Sequence, residues 1–485
     1  MKTALHLALA LALCGCPSRS VHQPAPLDAP QEAPTVDASQ DLLADTTTPM
    51  ELAPPSDSTP DSTPDTPPAD AASCVTGRGD CDGMTANGCE TDLTTDARHC
   101  GACGRACEGG YPCVDGACSA VQQVSVGALH TCVLRTNGRV YCLGDNSQGQ
   151  LGVITPGDAL RPTLVPGVTD IAEVSAGGDF TCARTRAGRV WCWGANRSGQ
   201  LGTGATTTVG EPPRLVVDLE DARQVAAGSG FACALRDTRE VVCWGSNGAF
   251  QLGDGTGGVG RASPRPVRAA GLTDVTHIAT LQSGCAVRTD GSVWCWGQNT
   301  LGESSGDGST GVRTLPTRVG GLSGAVRVAV GVGYTCAANV EGELRCWGGD
   351  NGSQLGARDG GASPYAVGLV PGLTDVDIDT QAFSLAYRSL CIRRRPRSGG
   401  GVLCLGTEAR GELGDGMGPT GVARVPVAPA GLAAATAVSN AWDHRCALLP
   451  DGARRLRCWG ANNHGQLGDG TTTDRDAPTD ASQVP

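Results

Sequence analysis

Residues 192–202 read CWGANRSGQLG, and residues 458–468, 266 positions further on, read CWGANNHGQLG. A phrase that returns almost letter for letter marks an internal repeat, and a repeat decides architecture before local propensity does. Weaker copies begin at Cys142 (CLGDNSQGQLG), Cys243 (CWGSNGAFQLG), Cys295 (CWGQNTLGESSG), Cys346 (CWGGDNGSQLG) and Cys404 (CLGTEARGELG). The intervals between successive starting cysteines are 50, 51, 52, 51, 58 and 54 residues, so seven units tile the chain from about Val121 onward. A second cysteine precedes each: Cys132, Cys182, Cys233, Cys285, Cys336, Cys391 and Cys446.

In units one to five the paired cysteines are ten positions apart, with a turn between them such as TRAGR (Thr185–Arg189) or RTDGS (Arg288–Ser292). Glycine at the end of the turn, with apolar residues on both sides, predicts a β-hairpin with a bulged turn. Opposed cysteines in such a hairpin lie within disulfide reach, which predicts Cys132–Cys142, Cys182–Cys192, Cys233–Cys243, Cys285–Cys295, Cys336–Cys346, Cys391–Cys404 and Cys446–Cys458. Each staple contributes about 2–3 kcal/mol by restricting the unfolded chain. Free buried thiols or a zinc ring are the alternatives. In GRVWCWG (188–194), Val190 and Cys192 face one side while Trp191 and Trp193 face the other, so the strand is sandwiched between neighbours. Each unit continues through a proline-containing strand such as RPTLVPG (161–167) and another such as IAEVSAG (171–177). Four short antiparallel strands about every 50 residues, stacked radially, make a propeller blade.

The pattern G-x-x-[HFY]-[TA]-C-A-L … D-G-x-V-x-C-W-G-x-N-x-x-G-Q-L-G-x-G resembles the repeat of the regulator of chromosome condensation family, found also in alpha-tubulin-suppressor-like proteins. The resemblance covers about three quarters of the chain and implies an all-β, seven-bladed β-propeller. Kelch repeats have a similar period but a different glycine and aromatic pattern. Units four (LGESSGDG) and six (FSLAYRSLC) depart most from the pattern. The family's founding member exchanges guanine nucleotide on a small nuclear GTPase; its catalytic loop matches no stretch here, and an exported chain does not meet that GTPase. An exported bacterial β-lactamase inhibitory propeller is similar in blade number and implies a binding face.

Export is read from the N-terminus. MKTALHLALALALCGC carries Lys2, an apolar stretch from Ala4 to Leu13, and Leu13-Cys14-Gly15-Cys16. The apolar run suits a signal peptide and is too short for a membrane span of about 20 residues. Its ending resembles the bacterial lipobox, which implies lipidation of Cys16 and removal of residues 1–15; an ordinary secretory signal is the alternative. Residues 17–73 hold 12 prolines and ten Asp/Glu against Arg19 alone, a composition expected to stay disordered. We read 16–73 as a tether reaching about 40 Å or more. The residues after Cys16 lack the aspartate that retains some lipoproteins at the inner membrane, so the expected location is the cell envelope, at the outer membrane or cell surface.

Residues 74–120 form a cysteine-rich module with Cys74, Cys81, Cys89, Cys100, Cys103, Cys107, Cys113 and Cys118, and 121–485 form the propeller. In an exported chain an even set of cysteines reads as a disulfide framework of open connectivity. The segment loosely resembles small secreted modules of the stigma-specific type, which implies no activity. A zinc site at His99, Cys100, Cys103 and Cys107 is the rival reading, and Asp80, Asp82, Asn87 and Glu90 offer oxygens without the spacing of a calcium loop.

Charge and composition exclude several functions. The net charge is −12; with Lys2 and the acidic tether set aside, −4 remains for residues 74–485. That near balance shows no concentrated basic face for nucleic acid. Lys2 is the sole lysine, so the mature chain has neither a Schiff-base nor a phosphate-loop lysine. No nucleophile motif such as G-x-S-x-G occurs. His130 and His444 occupy a position held elsewhere by Phe180, Phe231 and Tyr334, which marks a packing site. Arg393, Arg394, Arg395 and Arg397 read as a solvated turn or as a patch for phosphate or acidic polysaccharide. No catalytic residue, metal or cofactor is expected. The sequence therefore reads as a monomeric, lipid-anchored, non-catalytic head that binds a protein or polysaccharide through the variable loops after each Gln-Leu-Gly. A polysaccharide-active enzyme with its site at the propeller centre is the rival, and nucleotide exchange by family analogy is the third reading.

Overall fold

Cys182 and Cys192 lie directly opposite each other in an antiparallel ladder, with Cα atoms 4.1 Å apart and a disulfide between them. The same bond recurs in every repeat, from Cys132–Cys142 to Cys391–Cys404 and Cys446–Cys458. The computed structural model describes residues 74–84, 88–107, 112–155, 157–356, 366–379, 383–418, 421–450 and 455–481. Cys16 and the segments read as a signal sequence and a tether lie outside them.

Each hairpin is the centre of a four-stranded antiparallel sheet made of consecutive strands. Blade 2 runs through Ile171–Ala176, Phe180–Thr185, Val190–Gly194 and Glu211–Leu215. The seven blades span 121–164, 171–215, 222–268, 275–318, 325–369, 383–427 and 437–480. First strands from all seven line a central channel. The antiparallel order puts the first turn of each blade and the long segment between its third and fourth strands on one face, here the loop face. The tight hairpins and the blade-to-blade connections lie on the opposite, hairpin face.

The repeat's letters are junction parts. Trp193, Trp244, Trp296, Trp347 and Trp459 are fully buried, and each indole donates to the backbone carbonyl of the Gln or Glu in the preceding blade's Gln-Leu-Gly position, at 2.8–3.0 Å. That Gln turns its side-chain oxygen back onto its own loop, as Gln200 accepts from the Ser198 amide, while Asn196 accepts from the Leu201 amide. The closing glycine is demanded by the next tryptophan: Gly202 has φ 67°, and a Cβ there would stand 3.0 Å from Trp244 Nε1. Divergent unit four keeps the scheme, with Glu303 accepting from Leu301 and Asn299 from Ser304.

First strands of neighbouring blades are joined by side chains. Gln123 both donates to Val174 O and accepts from Val174 N; Glu173 accepts from Val225 N; Gln224 repeats the two-way bond to Ile278. These groups occupy edge amides and carbonyls that a bare strand would leave unpaired.

The repeat phase predicts that Ala477–Val484 packs beside Val121–Val126, and within the described residues Ala481 does join their buried cluster. The tail's strand pairing lies elsewhere: Arg475–Asp480 pairs with Leu456–Gly460 in its own blade, because the array starts on the first strand of a blade and every blade is complete in itself. Side chains close the ring: the Val126 amide donates to Ser439 Oγ at 3.1 Å, and Thr131 Oγ1 donates to Gln466 O at 2.8 Å. Val121, Val124 and Val126 share a buried cluster with Ala437, Leu448, Leu456 and Ala481.

The cysteine module is linked as Cys74–Cys89, Cys81–Cys103, Cys100–Cys113 and Cys107–Cys118. This consumes the cysteines of the zinc reading, and His99 Nδ1 accepts from the Gly104 amide. Asp80, Asp82 and Glu90 do converge, while Asn87 lies outside the described residues. The module docks on blade 1. Tyr141 donates to Asp115 at 2.5 Å, Arg139 pairs with Asp115 at 3.4 Å, buried Arg135 donates to Ser119 O, and Val114 enters the seam cluster of blades 7 and 1.

Candidate binding site

His130 and His444 are fully buried, and each reaches a threonine of the next blade: His130 Nε2 lies 2.8 Å from Thr181 Oγ1, and His444 Nε2 2.9 Å from Thr131 Oγ1. Both threonine hydroxyls donate to a Gln carbonyl, so the imidazoles donate from Nε2. Burial pushes His130 down to about 4 and His444 to about 3. These are junction residues, in the place of an aromatic ring.

The arginine cluster is tied down more than either of its sequence readings expects, although Arg397 stays exposed. Arg393 is buried and lies 2.7 Å from both Asp377 and Asp379, while Arg395 and Arg397 pair with Asp375 at 3.8 and 3.1 Å. Arg395 also donates to Val340 O. The partners sit in DVDID (375–379), on the connection entering blade 6, and form an internal ion-pair network with the cluster.

On the hairpin face the channel opens into a cavity of about 470 Å³ lined by Arg184, Arg223, Arg239, Arg327 and His277 among others. Glu173 is the one carboxylate among its described lining residues, and it pairs with Arg184 at 3.1 Å. Glycoside hydrolysis ordinarily uses two facing carboxylates, and the described lining residues of this cavity supply one.

The loop face offers different chemistry. At the first turn, blades 1, 2 and 3 have Gly127-Ala128, Gly177-Gly178 and Gly228-Ser229, whereas blades 6 and 7 have Ala386-Tyr387-Arg388 and Ala441-Trp442-Asp443. Tyr387 and Trp442 stack with ring centroids 6.0 Å apart, and the Arg388 guanidinium lies 4.8 Å above the tyrosine ring. Tyr387 is 36% exposed. Trp442 sits at φ 39°, a left-handed conformation that is costly for a bulky residue and that clusters at functional sites. Beside this platform lies a pocket of about 180 Å³ lined by Arg410, Glu412, Asp443 and Arg445. Arg445 is fully buried; it donates to Ser389 Oγ, and its Nε and Nη1 have no hydrogen-bond partner. Burial raises the Asp443 carboxyl above its ordinary range.

Outward on the same face, the loops after Gln-Leu-Gly expose one large apolar side chain each in blades 1, 2, 3, 4 and 6: Ile154, Val209, Val259, Val312 and Met417. Sequence reading had singled out these loops but missed the aromatic platform. Its signal was present, since the platform lies where units six and seven leave the repeat's glycine lead-in.

A model of the RCC1-like domain matches residues 74–417. The chain is 31% identical over 243 residues to human "Probable E3 ubiquitin-protein ligase HERC6", covering 48% of this chain and 24% of that protein. It is 27% identical over 342 residues to the protein pim1 of Schizosaccharomyces pombe, covering 61% and 60%, and 28% identical over 294 residues to the secretion-regulating guanine nucleotide exchange factor of Mus musculus, covering 54% and 60%. The chain thus spans less than two thirds of these relatives' own lengths. Among solved structures, human WBSCR16 superposes with a TM-score of 0.61 at 22% identity, covering 71% of this chain and 94% of that one. With the matched model extending over well more than half its length, the chain belongs to the RCC1-like domain family.

Proposed function

We propose that the propeller is a non-catalytic binding head whose protein ligand docks on the loop face, anchored at Tyr387, Arg388 and Trp442. The observation that carries this reading is the half-exposed tyrosine–tryptophan stack with its arginine, held in strained backbone beside a pocket. Aromatic and arginine side chains at a pocket are the typical energetic anchors of protein interfaces. Double replacement Tyr387→Ala and Arg388→Ala is expected to weaken partner binding at least tenfold while leaving the melting temperature within a few degrees. Val340→Asp on the opposite face serves as the control. Unchanged affinity in the double variant, measured by titration against the isolated partner, contradicts the reading.

We also propose that this head is exported and lipid-anchored at Cys16, with the acidic segment as its spacer. Eleven disulfides among the described residues favour an oxidising compartment. Among those residues no helix is long and apolar enough to cross a membrane. Cys16→Ala is expected to move the protein from the membrane to the soluble fraction; retention of the variant in membranes overturns the anchor.

A further inference from the structure

The seam between blades 7 and 1 joins the two ends of the array. The repeat pairs two positions across each junction: the residue six after one blade's third-strand cysteine and the residue three after the next blade's. At the blade 5–6 junction, for instance, Thr407 Oγ1 donates to Gly352 O at 3.0 Å. Around the ring the residues at these two repeat positions are Gln148/Ala195, Ser198/Ser246, Ala249/Gln298, Leu301/Gly349, Gly352/Thr407 and Arg410/Ala461. At the closing seam the pair is His464 and Asp145, and the blade 1 loop adds Asp158. We propose that Asp145, Asp158 and His464 form a divalent transition-metal site that latches the last blade to the first.

Each of the three side chains offers a ligand atom within 4.8 Å of the other two. His464 Nδ1 lies 2.7 Å from Asp158 Oδ2. With both atoms coordinating at about 2.0 Å in tetrahedral geometry their separation opens to about 3.3 Å. The imidazole then carries its proton on Nε2. Asp145 is buried to 5% exposure and oriented by its own blade: Gln150 Nε2 donates to Oδ2 at 2.8 Å, Ser147 Oγ to Oδ2 at 3.0 Å, and the Ser147 amide to Oδ1 at 2.8 Å. Such supporting bonds hold carboxylate ligands in place and leave lone pairs for a metal.

Charge points the same way. Arginines neutralise carboxylates over much of this propeller, yet among the described ion pairs no arginine reaches Asp145, Asp158 or Asp179, and the partner of Asp158 is the His464 imidazole. Burial and repulsion from Asp145 raise the neighbouring Asp179 carboxyl. Imidazole with carboxylates selects Zn²⁺ and its neighbours over Mg²⁺ and Ca²⁺, which favour all-oxygen sites. Three protein ligands leave a fourth position open to water.

The disulfide-bonded full chain, stripped with EDTA, is titrated with ZnCl₂ alone and followed by calorimetry and thermal melting. One Zn²⁺ per chain is expected at the seam, with a raised melting temperature, and neither MgCl₂ nor CaCl₂ at equal concentration reproduces the shift. His464→Gln and Asp158→Asn each weaken binding at least tenfold, with EDTA-treated melts within a few degrees of the parent. His99→Gln, in the cysteine module, leaves binding unchanged. Absence of stoichiometric Zn²⁺, or equal binding by the His464→Gln and Asp158→Asn variants, shows an ordinary His–Asp hydrogen bond and overturns the latch.

Discussion

Trp244→Ala is expected to destabilise the propeller by about 3–5 kcal/mol, among the largest effects of any single substitution in the array. The indole is fully buried in the junction between blades 2 and 3, and its Nε1 donates to Gln200 O at 2.9 Å. At the neighbouring junction the acceptor, Gln150 O, receives a second bond from Thr181 Oγ1. Blade 3 has Ala232 at the threonine position, so the indole has no such second donor beside it. Trp244→Leu copies Leu143 of blade 1 and keeps most of the apolar contact, so it should cost less, about 2 kcal/mol. Adding Ala232→Thr to that variant restores a donor to Gln200 O and should recover about 1 kcal/mol. Chemical denaturation of the four proteins decides it: no recovery with Thr shows that packing volume alone governs the junction, and equal costs for Ala and Leu show that the lost hydrogen bond, not volume, governs it.

Acid should unlatch the junctions from inside. His130 and His444 titrate near 6.5 when unfolded but are held down to about 4 and about 3 in the folded protein by burial. Below pH 6.5 the unfolded chain therefore binds protons that the folded chain refuses, and stability falls as pH falls. By pH 4 the loss is about 3 kcal/mol for each histidine, and it levels off only once the folded-state groups take protons themselves. Double replacement His130→Phe and His444→Phe copies Phe180 and Phe231 at the equivalent positions, and it should flatten the fall in melting temperature between pH 6.5 and pH 4. An unchanged slope assigns acid sensitivity to the carboxylates instead.

Much of the fold was legible because each conserved letter of the repeat has a local cause. The paired cysteines face each other in a hairpin, the tryptophan seeks the preceding blade's carbonyl, and the glycine of Gln-Leu-Gly makes room for that tryptophan. Ring closure was not legible, because counting units from the cysteine hairpins left Val121–Val126 without a predecessor and made the tail appear to be its missing neighbour. Dividing the same letters one strand earlier gives seven whole blades. The arginines at 393–397 seemed free because their acids, Asp375, Asp377 and Asp379, stand on the connection before them and meet them only in the folded blade. The docking of the cysteine module rests on contacts at Asp115, Ser119 and Val114, which no motif announces. The aromatic platform was hidden differently: Tyr387 and Trp442 lie in units that depart from the repeat's glycine lead-in at that turn. In a repeat protein a departure from the consensus at the same position in adjacent units is a signal for function, since packing there has already been solved by the other blades.

A photo-crosslinking scan tests the binding-head account most directly. A photoreactive residue is placed singly at Tyr387, Val209, Val259 and Met417 on the loop face, and at Arg239 and Val340 on the hairpin face, in the full chain in its native setting. The account predicts one discrete partner adduct from the loop-face positions, strongest at Tyr387, and none from Arg239 or Val340. A discrete adduct from the hairpin face with none from the loop face contradicts it.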